Sequence, residues 1–287
     1  RRSDAAAAVL LSRLLHAAEA SQRGRETPEG IAPGLDAAQR RAWESYALLL
    51  CGVDFSSHPC LQAAEPEKFR APLDPSPAAE FVIDVWSDIL TMHKVLLEHC
   101  PDEVCESEVD LGKFVRARLC LISRWCGAAV RSAGTGSLVP VFDLFNHAAG
   151  RSPGVEWSWD EEEDGMLVRA VLAHAPGEEL FISYGPHSNA VLFGTYGFTQ
   201  APAVEPCWSY WVSPAQIWKF VEEFLQPPPD ELRAQQVFLY SDRADDTLRA
   251  VLAAVASSGA DRPSFLRELC QRCLARFAAD ALLRPVL

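Results

Sequence analysis

Residues 138–198 constrain this chain more than any other stretch. They open with Leu138-Val-Pro-Val-Phe-Asp143-Leu-Phe-Asn146-His147, an apolar run that ends in polar residues and is flanked by Gly136 and Gly150. That pattern predicts a buried strand ending in a turn. A Pro176-Gly177 turn leads into Leu180-Phe-Ile-Ser-Tyr184, whose loose alternation predicts a second strand over 179–184. Ser188 can cap a short helix that stops at Gly197, within Tyr196-Gly197-Phe198. Polar side chains at the ends of buried apolar segments are where ligand sites tend to be built.

Asp143-x-x-Asn146-His147, Tyr184-Gly185, Ser188-Asn189 and Tyr196-Gly197-Phe198, in this order, resemble the C-terminal half of a SET domain. The resemblance is strongest to the branch typified by the plant Rubisco large-subunit lysine methyltransferase. Asn-His or Tyr-Gly-Phe alone would say little; four motifs in order say much more. The resemblance implies an α+β fold in which SET-domain β-sheets carry a helical insert and are followed by an all-α substrate-binding domain. The implied segments are a helical insert over 1–130, the C-terminal half of the catalytic domain over 131–205, and the helical substrate-binding domain over 206–287.

Composition narrows the partners. A hydrophobic content of 49% and a mean hydropathy of -0.01 describe a globular chain. The formal net charge of -13 argues against nucleic acid, whose phosphates need a basic surface. No apolar run approaches the ~20 residues that span a bilayer. Nine scattered cysteines, an odd number, favour reduced thiols in an intracellular compartment, and the resemblance implies cytoplasm or chloroplast. Cys270-Gln-Arg-Cys273 lies in a helical pattern without a second pair, so a buried-thiol role outweighs zinc or redox chemistry. The expected partner is a protein substrate, and the expected state a monomer.

Elsewhere the periodicity predicts helices. One covers 4–20 with Ser3 or Asp4 as its cap; another starts at Asp36 and runs through Trp43, Tyr46 and Leu50. Gly24 to Gly34 predicts a loop, and five prolines between residues 52 and 79 predict an irregular connection. Phe81, Val85, Ile89, Met92 and Leu96 form one apolar stripe. Leu111, Val115, Leu119, Ile122 and Cys126 form another behind the cap Asp110. Residues 154–160 and 166–173 predict a strand pair around an acidic turn, a solvated hairpin tip and not a calcium loop. Segments 214–226, 230–240, 244–258 and 263–280 read as helices, broken by Pro227-Pro-Pro229 and Gly259.

The resemblance implies transfer of a methyl group from S-adenosyl-L-methionine to a lysine nitrogen of a non-histone protein. Carried over by motif, Tyr184 matches the tyrosine beside the transferring methyl, and Tyr196 the second tyrosine of the cofactor and lysine pocket. Phe198 matches the apolar wall on the substrate side. Asn146 and His147 match the pair that holds the cofactor. Arg124 matches the arginine on the methionine carboxylate, with Ser123 and Asp143 at nearby polar positions. Tyrosine suits this work because a rigid ring walls a channel while a neutral oxygen accepts polarised C–H groups.

The family's first segment, with a Gly-x-Gly turn ahead of the insert, has no match here, so the chain is expected to begin inside the insert. Two alternatives follow: a SET-derived protein-binding module with impaired catalysis, and a protein-histidine N-methyltransferase. A hydrolytic metal site built from Asp143, His147, His174 and His187 matches no ligand spacing, and no metal is expected.

Overall fold

The computed structural model describes residues 2–23, 36–73, 77–100, 109–126, 138–148, 153–160, 162, 165–185, 187–201, 209–224, 237–240, 244, 246–257, 259 and 261–281. In chain order the helices are α1 (Arg2–Gln22), α2 (Ala37–Cys51), α3 (Pro59–Gln62), α4 (Pro66–Leu73), α5 (Pro77–His99) and α6 (Leu111–Arg124). A 3-10 turn at Phe142–Leu144 precedes β1 (Asn146–His147), β2 (Val155–Asp160), β3 (Gly165–Ala170), β4 (Phe181–Ile182) and α7 (Asn189–Tyr196). Then come β5 (Ser209–Val212), α8 (Pro214–Phe224), β6 (Val237–Tyr240), α9 (Asp246–Ser257) and α10 (Arg262–Ala281). Helix dominates and the sheets are small, an α+β composition. The loop expected over 24–34 and the prolines 227–229 lie outside the described residues. None of the described helices is long and apolar enough to cross a membrane.

The chain divides into two packed units, residues 1–57 with 87–184 and residues 58–86 with 185–287. In the first, α1, α2 and α6 bury Leu11, Leu15, Ala47, Leu50, Phe114 and Leu119. Each large aliphatic or aromatic side chain so buried contributes about 1.5–3 kcal/mol. Helix α2 starts at a capping box: Asp36 Oδ1 accepts from the amides of Ala38 and Gln39, and Gln39 Oε1 accepts from the Asp36 amide. At its other end Arg116 of α6 donates to the carbonyls of Cys51 and Val53, which satisfies carbonyls that the helix leaves open. Two strand pairs complete this unit. β1 runs parallel to β4, with Asn146 opposite Phe181 and His147 opposite Ile182. β2 and β3 are antiparallel, from Val155 opposite Ala170 to Asp160 opposite Gly165. Cys126, Phe142, Val155 and Ile182 form the small core beneath them, with Phe145, Trp157 and Tyr184 packed against it.

In the second unit α8, α9, α10 and the β5–β6 pair enclose Ile217, Phe220, Val221, Leu248, Val251 and Phe265. Separately, the first turns of α5 pack against α7 and β5. Phe81 meets Trp211 edge-on at 5.5 Å, and a Cβ on Gly194 would come within 2.4 Å of the Phe81 ring.

Several sequence expectations need correction. The run 138–143 is not a strand. Val141 takes a positive φ of 75°, the chain turns there, and a 3-10 turn follows. The second strand is confined to Phe181–Ile182. Ser3 and Asp4 lie inside α1, which begins at Arg2. The proline-rich connection contains α3 and α4, because proline is well suited to a first helical turn. Leu111 is exposed, a first-turn residue ahead of the buried part of α6. Residues 237–240 form a strand antiparallel to 209–212, so the C-terminal region is not all-α. Helical and strand periods converge over so short an apolar run as Val237-Phe-Leu-Tyr240.

Candidate active site

In the first unit the predicted polar residues converge on the turn at Asp143. Helix α6 ends at Arg124, whose Nη1 donates to the Asp143 backbone carbonyl at 2.9 Å and to its Oδ2 at 3.3 Å. The Asp143 side chain is 1% exposed and that of Arg124 18%. A third residue joins them. The Tyr46 hydroxyl, from α2, donates to the same Oδ2 at 2.6 Å. Burial first, then the hydrogen bond to Asp143, raises the Tyr46 pKa far above its ordinary value, so it acts as a neutral donor.

The network is incomplete in one respect. Arg124 Nε and Asp143 Oδ1 are both buried, and neither has a hydrogen-bond partner. An unmet buried donor or acceptor costs about 1–3 kcal/mol, so such atoms are rarely left open without a role.

Tyr184, just after β4, ties down the other side of this segment. Its hydroxyl donates to the Phe145 carbonyl at 2.8 Å, and its backbone amide donates to His147 Nδ1 at 3.1 Å. The two rings lie 5.2 Å apart. The His147 imidazole therefore accepts at Nδ1 and locks β1 to the residue beyond β4. Burial raises the Tyr184 pKa; the Arg124 charge lowers it and Asp143 raises it. With its proton committed to Phe145, the phenolic oxygen keeps its lone pairs as a neutral acceptor.

Two predicted site residues are engaged differently from the rest. Ser123 turns its hydroxyl back onto the Leu119 carbonyl of its own helix at 2.6 Å. Asn146 is exposed, and its Nδ2 donates to Glu179 Oε1 at 2.6 Å. Glu179 was not signalled by any motif.

In the second unit α7 leads into the Tyr-Gly-Phe motif. Ser188 is its N-cap by position, without a side-chain capping bond, and Gly197 closes it in the left-handed region at φ 82°. The rings of Tyr196 and Phe198 lie 6.0 Å apart, and those of His187 and Tyr196 6.2 Å apart. Asn189, in the helix's first turn, clasps the chain beyond it. Its Oδ1 accepts from the Gln200 amide at 2.7 Å, and its Nδ2 donates to the Gln200 carbonyl at 2.9 Å. Cys60 Sγ of α3 lies 3.7 Å from the Gly194 carbonyl, and a Cβ on Gly197 would sit 3.1 Å from the His58 ring.

Two buried thiols are unsuited to nucleophilic work. Burial pushes the Cys60 and Cys120 thiols up to about 12, so neither is a thiolate nucleophile at neutral pH. Among the described residues no group of three or more His, Cys, Asp or Glu is placed to hold a metal ion.

No protein-family model matches the chain. The ribosomal lysine N-methyltransferase set11 of Schizosaccharomyces pombe is 34% identical over 62 residues, which are 22% of this chain and 15% of that protein. SET domain-containing protein 4 of Homo sapiens is 37% identical over 75 residues, 25% of this chain and 16% of that protein. Short stretches of the chain are thus similar to SET-domain methyltransferase sequences. Among solved structures, the SET domain of LSMT bound to lysine and AdoHcy covers 62% of this chain at 20% identity, with a TM-score of 0.43. Rubisco LSMT bound to AdoMet covers 62% at 20% identity, with a TM-score of 0.39. The matched parts span 43% and 42% of those two chains, and far less of the curated relatives.

Proposed function

We propose that this chain belongs to an S-adenosylmethionine-dependent protein-lysine N-methyltransferase acting on a non-histone protein. The observation that carries the proposal is the buried Arg124–Asp143 pair with one donor and one acceptor unmet. The methionine end of S-adenosylmethionine is a zwitterion, and its carboxylate and ammonium are the two groups that such a pair would satisfy. Arg124 Nε would hold the carboxylate and Asp143 Oδ1 would accept from the ammonium. Asn146 and His147, on the strand that follows, complete the segment that matches the family's cofactor-binding pair.

When bound, the cofactor supplies an electrophilic methyl on a sulfonium, so the protein needs no nucleophile of its own. Tyr184 presents a neutral phenolic oxygen whose proton is already donated to Phe145. Such an oxygen accepts weak C–H contacts from a methyl that carries positive charge. Tyr196 at the end of α7 and Phe198 just beyond it, both rigid rings, supply aromatic surface of the kind that lowers an amine's pKa by excluding water. Positioning of the acceptor nitrogen accounts for most of the rate, because aligned reactants gain large effective molarity. The assignment extends to the segments: residues 1–130 as helical insert, 131–205 as catalytic half and 206–287 as the part that grips the substrate protein.

The test is incubation of the chain with methyl-tritiated S-adenosylmethionine and a denatured-free cell extract, followed by amino-acid analysis of the labelled protein. Methyllysine is expected. Tyr184→Phe should lower its formation roughly ten- to hundred-fold with cofactor affinity retained, since misplacement of a reacting group is costly. Label recovered as methylhistidine would contradict the lysine assignment, and equal loss of rate and affinity would remove Tyr184 from its role.

A further inference from the structure

The geometry points to Tyr46 as a positioning residue that keeps the Arg124–Asp143 pair open for the amino-acid end of the cofactor. The inference rests on the cofactor reading above and adds a residue from a helix outside the motif segments.

An arginine and a carboxylate left to themselves prefer a fork, two parallel N–H···O bonds that use both carboxylate oxygens. Such a fork through Nη1 and Nη2 would consume Asp143 Oδ1, and no carboxylate acceptor would remain for a ligand. That fork is not formed. Arg124 uses Nη1 alone, shared between the Asp143 carbonyl and Oδ2, while Nε and Oδ1 stay unmet.

The difference lies with Tyr46. Its hydroxyl takes Oδ2 at 2.6 Å, the shorter of the two side-chain bonds that oxygen accepts, and so fixes the plane of the carboxylate. The hydroxyl cannot drift, because Tyr46 is 6% exposed and its ring stands edge-on to Trp43 at 5.7 Å. Its neighbours Ala47 and Leu50 on α2 are fully buried, so the helix that aims the hydroxyl is itself anchored. Helix α2 thereby sets how much of the pair is offered to a ligand, across 97 residues of sequence.

Tyr46→Phe keeps the ring and removes only the donor, which frees Asp143 to close the fork with Arg124. The experiment is calorimetric titration of the full chain and this variant with two ligands, S-adenosylhomocysteine and 5′-methylthioadenosine, which lacks the amino-acid end. The expected result is roughly ten-fold weaker binding of S-adenosylhomocysteine, the size of one charge-assisted hydrogen bond, with 5′-methylthioadenosine unchanged. Unchanged S-adenosylhomocysteine affinity overturns the inference and leaves the cofactor reading standing. Equal weakening of both ligands also overturns it, because a general packing role would act on the whole molecule. A wild-type chain that binds neither ligand refutes the cofactor reading and the inference with it.

Should Tyr46→Phe fail to fold, Asp143→Asn tests the same geometry. Tyr46 and Arg124 both donate to one oxygen, so the amide oxygen is held there and the amide nitrogen faces the ligand. Selective loss of S-adenosylhomocysteine is then expected. Retained affinity would mean that the amide turns freely and that Tyr46 does not set its orientation.

Discussion

The two motif regions of this chain are held by different kinds of force. Around Asp143 the segment is fixed by polar contacts: Tyr46 and Arg124 on the carboxylate, Arg124 on the carbonyl, Tyr184 on Phe145 and His147. Around Tyr196 the segment is fixed by shape: Gly194 against Phe81, Gly197 in the left-handed region against His58, and the Asn189 clasp on Gln200. A polar cradle can be left with open valences and so can read a charged ligand. A packed platform cannot, but it presents aromatic faces at fixed positions, which suits a wall better than a ligand.

Substitutions should expose that difference. Asp143→Ala leaves the largely buried Arg124 charge without its partner and should destabilise the first region by about 3–5 kcal/mol. Hydrogen exchange of the 138–148 amides would read it locally, because a chain of two units need not unfold in one step. Protection unchanged from wild type would mean that the polar contacts do not hold that turn. Gly194→Ala drives a methyl into the Phe81 ring and should cost about 1–3 kcal/mol, seen as faster exchange in α7 and the start of α5. Exchange confined to α7, with α5 unaffected, would deny that the two are packed as described.

A gentler change separates the regions by pH. Burial lowers the His58 pKa, while a contact with the Thr195 backbone raises it, and the net direction is down. The fold therefore favours the neutral ring. That stabilisation is complete above the ordinary histidine value and is lost as pH falls through the lowered one. Acidification from neutral should loosen α3 and α7, and His58→Asn, which can still cap α3, should flatten the response. A profile unaltered by that variant would assign the acid sensitivity elsewhere. The smallest expected effect is a gain: Val141→Gly removes a β-branched residue from φ 75° and should stabilise the Asp143 turn by about 1 kcal/mol.

The motif residues were legible from sequence because each needs a particular chemistry at a particular place. Asp143, Arg124 and Tyr184 gather in one unit, and the caps at Asp36, Asp110 and Gly197 all form. What holds those residues was not legible. The Tyr46–Asp143 bond joins residues 97 positions apart, and a helical tyrosine looks the same in sequence whether it meets a carboxylate or a leucine. The Trp43-x-x-Tyr46 spacing was the one available signal. Glu179 on Asn146 and Gln200 on Asn189 depend likewise on strand pairing and chain reversal, which no local pattern encodes. The run Leu138–Phe142 failed for the opposite reason. Its apolar side chains read as a strand, but Pro140 and the positive φ of Val141 turn the chain there.

The most direct measurement is calorimetric titration of the wild-type 287-residue chain with S-adenosylhomocysteine. The account predicts binding in the micromolar range, abolished by Arg124→Ala. A folded chain that shows no heat of binding at high ligand concentration would contradict the claim that the Arg124–Asp143 pair is built to receive the cofactor.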